Sequence, residues 1–357
     1  MAKSEKTQTL HAPAGTQKST ELFDTIAWLR AFLSAGVVAI HVHYFDSAQI
    51  GAKNFYDFYR LFTNVCVPAF FFISGCLFFR GNAFSTAIYI DKLKKRSRSL
   101  LLPYILFNYF AMAVWAILIF GFGLHTNTQS FEGMTVFDYL GITKSYAALW
   151  FVNNLIILAI ISPLIYWAIK KMGIVFLILA GTYLVSPKPF GGLEFLGGVG
   201  IFWFSLGAFV SLNKIDFIHA IKNLNKWILL LIWALFTTFY FIYPNEILAG
   251  RTIGIAIGIV VCFTWANYLS NHFGVPAWVK YLAGASMFIY CVHDLIPKLF
   301  FDVIFKYLYA NFLPHNSLSA GTIIVLEFIC MYLSSLAIYA VLKKAFPRVC
   351  AILCGGR

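Results

Sequence analysis

The stretch DTIAWLRAFLSAGVVAIHVHYF, residues 24–45, decides how the rest of the chain reads. It is apolar over a length that crosses a bilayer, for which about 20 residues suffice. Yet Arg30 and His41 lie inside the apolar run. Ionisable groups there are costly to bury, so they face a cavity or a partner and mark function. At about 100° per residue, the eleven steps between them come within some 20° of three whole turns. Arg30 and His41 are therefore expected on one helix face, roughly 16 Å apart along the axis. Ser34 falls on the same stripe, and His43 points to nearly the opposite side. Taken singly, Arg30 reads equally as an anchor that snorkels to the interface, and His41 as a cap on the outer end. Their shared face is what favours a site.

Composition sets the class. Of 357 residues, 61% are hydrophobic and only 11% charged, against about 25% charged in soluble domains. Mean hydropathy is +0.79. The expected fold is an all-α polytopic membrane protein. A net charge of +13 would point to nucleic acid in a soluble chain. Here it reads as the Lys/Arg excess of cytoplasmic segments facing membrane lipids, and no nucleic-acid partner is expected. The seven cysteines show neither metal-ligand spacing nor a disulfide framework, so no metal is expected.

Apolar runs predict about ten transmembrane helices: 24–45, 60–79, 101–122, 148–169, 172–186, 195–212, 227–243, 250–269, 283–306 and 320–342. The fifth and seventh are short enough for tilted or re-entrant segments. With the N-terminus inside, 19 of the 27 Lys and Arg fall in inner segments and seven in outer ones, Arg30 being the last. That bias places both termini in the cytoplasm, Arg30 toward the inner leaflet and His41 toward the outer. Residues 1–19 read as a flexible polar cytoplasmic tail and not as a cleaved signal peptide. Residues 20–345 read as one integral-membrane domain, and 346–357 as a short cytoplasmic tail.

Further stretches carry chemistry or packing. In VCVPAFFFISGCLFFR (65–80), Pro68 removes a backbone donor and predicts a kink. Ser74-Gly75 permits close helix approach. The inner loop DKLKKRSRSLLLPYILFNYF (91–110) opens with five cations between Lys92 and Arg98. By charge alone they form a topological patch for lipid headgroups. They also suit a phosphate clamp, with Lys95 and Arg98 one turn apart. The outer loop 123–147 is long enough for a lid or a short interfacial helix. It leads into ALWFVNNLIILAIISPLIYW (148–167), where Trp150 also fits an interfacial belt. SMFIYCVHDLI (286–296) sets His293 and Asp294 near mid-depth. As sequence neighbours they face different ways and are not expected to bond each other. Glu327 is a further intramembrane acid, and it reads equally as the neutraliser of a buried cation.

Several of these stretches resemble the acyltransferase-3 family of integral-membrane O-acyltransferases. They are the Arg30-to-His41 spacing in the first helix and the P-x-F-F-x-x-S-G pattern of 68–75. The others are S-L-L-x-P-Y at 99–104 and the L-W-F…S-P-L segment of 149–164. Many relatives hold Arg-Asp where this chain has Asn153-Asn154, so that charged pair is missing here. The resemblance spans most of residues 24–345. It implies transfer of an acyl group, expected to be acetyl, from acyl-CoA to a hydroxyl of a lipid-linked or cell-surface glycan. Acetyl-CoA is then the donor co-substrate, and a bacterial inner (plasma) membrane the location.

On that reading His41 and Arg30 are the candidate catalytic residues. Arg30, Ser34, Ser74, Lys95 and Arg98 are candidates for binding the donor. Trp150, His293 and Glu327 are candidates for binding the acceptor. A neutral imidazole, with an ordinary pKa of about 6.5, suits general-base removal of a sugar hydroxyl proton. A covalent acyl-His intermediate is equally open. Two rivals belong to other classes. A carrier or flippase would use the Arg30–His41 face as a solute or proton path and predicts internal repeats, of which none is visible. A non-catalytic scaffold would pair Arg30 with a partner's membrane acid.

Overall fold

Helix α1 runs from Ala14 to Ile40, so it starts inside the expected tail and stops five residues before the expected end of the span. The computed structural model describes residues 14–42, 50–81, 84–123, 136, 146–185, 197–244, 249–314 and 316–356. His43, the first 13 residues and nearly all of the expected lid at 123–147 lie outside them. No strand occurs among the described residues.

After α1 come α2 (Ile50–Thr63), α3 (Cys66–Phe79), α4 (Thr86–Arg96) and α5 (Leu102–Ala116). The middle of the chain holds α6 (Trp150–Ile160), α7 (Ser162–Met172), α8 (Ile174–Val185) and α9 (Gly198–Leu212). Then follow α10 (Phe217–Lys222), α11 (Lys226–Ile242), α12 (Gly250–Phe273) and α13 (Ala277–Val292). The last are α14 (Ile296–Phe312), α15 (Ser317–Ala345) and α16 (Pro347–Leu353). Helix α16 lies within the expected C-terminal tail and packs on α5 and α15.

Among the described residues, five helical stretches are long and apolar enough to cross a membrane: Thr20–Ile40, Phe55–Phe79, Thr86–Gly121, Gly250–Phe273 and Leu318–Ala345. The pair α6–α7, bent by 65°, makes a sixth if it is one span. Helices α8, α9, α11 and α13 are apolar but shorter. Large apolar side chains such as Phe120, Leu235 and Leu318 stand exposed, as a lipid-facing surface requires. The protein is an integral membrane protein.

Proline places the breaks. Pro68 has no N–H for the Asn64 carbonyl, and a turn at Asn64–Val65 separates α2 from α3 within the stretch Phe55–Phe79. Pro163 leaves the Ala159 carbonyl without its helical donor, and the Ser162 hydroxyl donates to it instead at 2.8 Å. Pro297 likewise cannot serve the His293 carbonyl, which accepts from the Lys298 N–H at 3.0 Å. The expected single span 283–306 is therefore two helices, broken at His293–Leu295. The expected inner loop before α5 is not a loop either. Helix α4 passes through a π-helical turn, Ser97–Leu101, straight into α5.

Helix α1 occupies the centre. It packs most extensively against α12 and α13, and also against α2, α3 and α15. Its lower end is clasped to α12, where Asn267 Nδ2 donates to Glu21 Oε1 and Thr25 Oγ1, both at 3.2 Å. Trp28 Nε1 donates to the Gly274 carbonyl at 2.7 Å. Helices α3 and α9 cross almost backbone to backbone. A Cβ on Gly75 would lie 2.0 Å from the Phe204 carbonyl oxygen, and one on Gly207 2.1 Å from that of Phe72. The close approach expected at Ser74-Gly75 is met, with Gly207 as its partner.

Candidate active site

Three helices each turn one stripe into a common interior space. On α1 the stripe is Phe23, Ala27, Arg30, Ser34 and Val37, at the spacing of a single helical face. Helix α3 contributes Phe70, Ser74 and Leu77, and α13 contributes Ala283, Ser286 and Tyr290. With Arg96, Leu100, Phe151 and Leu155 these enclose about 350 Å³. Arg30 Nη2 donates to Ser286 Oγ at 3.0 Å, and the Ser286 hydroxyl donates onward to the Ala283 carbonyl at 2.8 Å. That chain of bonds orients the guanidinium against α13.

A second cavity of about 470 Å³ is lined by His41, Arg60, Asn64, Trp150, Trp203 and Arg251, among others. Val37, Val67 and Tyr290 belong to the walls of both cavities. The two spaces therefore abut, Arg30 in one and His41 in the other. The Tyr290 hydroxyl donates to the Ala148 carbonyl, which holds the shared wall in place.

His41 follows directly on the end of α1, where its N–H closes a tight turn on the Val38 carbonyl at 3.0 Å. Its Nδ1 lies 2.9 Å from the Val37 carbonyl oxygen. A carbonyl only accepts, so this bond puts the hydrogen on Nδ1 and the lone pair on Nε2. The His41 ring meets His293 edge to face, with centroids 4.7 Å apart. His293 is fully buried; its Nδ1 faces the Ile289 and Tyr290 carbonyls at 3.1 and 2.9 Å, and its Nε2 has no partner. Asp294 is bound instead by Lys298 at 2.5 Å. The two neighbours thus act separately, as their positions on a helix require.

Several expected residues come together. Arg30, Ser34 and Ser74 share the first cavity, His41 and Trp150 the second, and His293 sits against His41. Lys95, Arg98 and Glu327 line neither wall. Lys95 pairs with Asp91 at 2.7 Å and leaves 76% of its side chain exposed. Arg98 is exposed on the π-helical turn, and Glu327 is fully buried within α15. Arg96 is the member of the basic run that reaches the first cavity. The apolar spacing Leu93–Arg96–Leu100 on a continuous helix was the signal that picks it out. Ser286, Tyr290, Arg60 and Arg251 were also missed, since nothing local marks them. A larger cavity of about 630 Å³ opens between α1, α3, α9, α10 and α12 and holds neither Arg30 nor His41. Among the described residues no three His, Cys, Asp or Glu side chains gather as a metal site.

A family model described as an acyltransferase domain matches residues 23–354. The chain belongs to the acyltransferase-3 family. Both cavities of this acyltransferase lie wholly within the matched region. The acyltransferase is also 28% identical over 212 residues to the succinoglycan biosynthesis protein ExoH of Rhizobium meliloti (strain 1021). That match covers 56% of this chain and 55% of the relative, so the chain spans about half the length of the curated protein it matches. No solved structure matches it significantly.

Proposed function

We propose that this acyltransferase moves an acyl group, expected to be acetyl, from acyl-CoA to a hydroxyl of a lipid-linked or cell-surface glycan. The observation that carries the reading is the pair of abutting cavities, with a fixed cation in one and an imidazole with an available nitrogen in the other. A relative named for succinoglycan biosynthesis supports a glycan acceptor. With ten spans and both termini in the cytoplasm, the Arg30 cavity opens inward, where acyl-CoA is made. The His41 cavity opens outward across a bacterial inner membrane.

The first cavity suits the narrow pantetheine arm and leaves the nucleotide outside, at Arg96 and the basic turn around Lys95 and Arg98. Arg30, Ser34 and Ser74 hydrogen-bond the arm and aim its thioester at the shared wall. In the second cavity Trp150 and Trp203 offer faces for a sugar ring. His41 Nε2 withdraws the acceptor hydroxyl proton as that oxygen attacks the thioester carbonyl. The C–S bond then breaks and the proton returns to the departing thiolate. His293 packs the His41 ring in position.

Donor binding tests the inner half. Arg96→Ala is expected to weaken acetyl-CoA binding about five- to thirtyfold, since a charge-assisted bond contributes roughly 1–2 kcal/mol at a half-exposed site. Lys95→Ala and Arg98→Ala act only through screened attraction, so their smaller losses should vanish at high salt. Calorimetric titration at low and high salt measures both. Unchanged affinity in Arg96→Ala would return the basic run to a topological role.

A further inference from the structure

The second cavity carries two cations that the transfer chemistry does not use. Arg60, in the last turn of α2, and Arg251, in the first turn of α12, both line it beside His41. No Asp or Glu is among the described residues that line it. Neither arginine forms an ion pair among the described residues. Arg60 Nη1 donates to the Tyr56 hydroxyl at 3.2 Å, while its Nε is buried without a hydrogen-bond partner. Arg251 stands where a cation is locally unfavourable. The positive end of the helix dipole favours an anion in the first turn, and α12 has no acid there. Two guanidinium groups on one cavity repel each other, and an anion that joins them relieves that repulsion.

We infer that the glycan acceptor carries an oxyanion close to the reacting hydroxyl, and that Arg60 and Arg251 bind it. Arg fits this task because its planar donor fork matches both carboxylate and phosphate. The oxyanion is either the diphosphate of a lipid carrier or the carboxylate of an acidic sugar. Trp150 and Trp203 would then stack the ring while the arginines set which hydroxyl meets His41. This inference rests on the reading of the second cavity as the acceptor site. It makes Arg60 and Arg251 specificity-determining residues.

The test uses the full-length protein in nanodiscs and three probes: a neutral glucose tetrasaccharide, the same oligosaccharide ending in glucuronate, and geranylgeranyl diphosphate. Binding is measured for wild type, Arg251→Gln and the double variant Arg60→Gln/Arg251→Gln. Arg251 is exposed, so its single variant keeps the test sound if loss of half-buried Arg60 impairs folding; acetyl-CoA binding reports the fold of each. The expected result is that one anionic probe binds at least about tenfold more tightly than the neutral one, as a charge-assisted contact would give. That advantage should shrink with salt, fall in Arg251→Gln and disappear in the double variant. Glucuronate preference assigns the anion to an acidic sugar, and diphosphate preference to the lipid carrier. Equal binding of all three probes, or an anion preference that survives in the double variant, would overturn the inference. The acyl-transfer reading stands or falls apart from it, on whether wild type passes label from acetyl-CoA to a glycan.

Discussion

His41→Ala is expected to slow single-turnover acyl transfer by about 10²- to 10⁴-fold, the usual effect of losing an acid–base group. Acyl-CoA binding should be nearly unchanged, because His41 lines the other cavity and not the one that holds Arg30 and Ser74. The logarithm of the rate should rise with pH and level off once the imidazole is neutral, since only its neutral form takes a proton. His293→Ala should have a smaller effect: it loosens the edge-to-face contact at 4.7 Å but leaves Nδ1 of His41 on the Val37 carbonyl. Rapid quench with labelled donor alone separates the two roles open to His41. A base leaves no label on the protein, whereas a nucleophile leaves an acyl-enzyme. Transfer at the wild-type rate in His41→Ala would end the mechanism.

Arg30→Ala is expected to reduce kcat/KM for the acyl donor about 10- to 150-fold, the equivalent of one hydrogen bond from a charged group in a site removed from water. Arg30→Lys should recover less than half of the wild-type value. The guanidinium is set by its bond to Ser286 Oγ at 3.0 Å, and a single ammonium on a flexible stem cannot reproduce that planar fork. Thermal unfolding of each variant shows whether the fold survives, since losing the half-buried guanidinium and its bond to Ser286 also affects stability. Recovery above half with lysine would reduce Arg30 to a point charge.

The shared face of Arg30 and Ser34 was legible because a helical period needs no partner to express it. The reading extended α1 too far: His41 stands just beyond the last turn, and only its side-chain bond to the Val37 carbonyl shows why it still faces inward. The break at His293 had a local signal in Pro297, four residues on, but the apolar run concealed it. The basic run read as a loop because its charges interrupt the apolar pattern, whereas α4 continues through the π-helical turn into α5. Lys95 and Arg98 were chosen for their one-turn spacing, whereas the face that turns to the first cavity carries Arg96 and Leu100. Arg60 and Arg251 were visible only as outer charges. Their convergence with His41 joins positions 41, 60 and 251, and no local pattern encodes such a meeting.

Proteoliposomes measure the central claim most directly, with labelled acetyl-CoA sealed on the Arg96 side and the glycan acceptor supplied only on the His41 side. Transport of intact acetyl-CoA is checked in parallel with a label on the nucleotide. The account predicts that labelled acyl groups appear on the acceptor while the nucleotide stays with the donor compartment. Product that forms only when donor and acceptor share one side would contradict it.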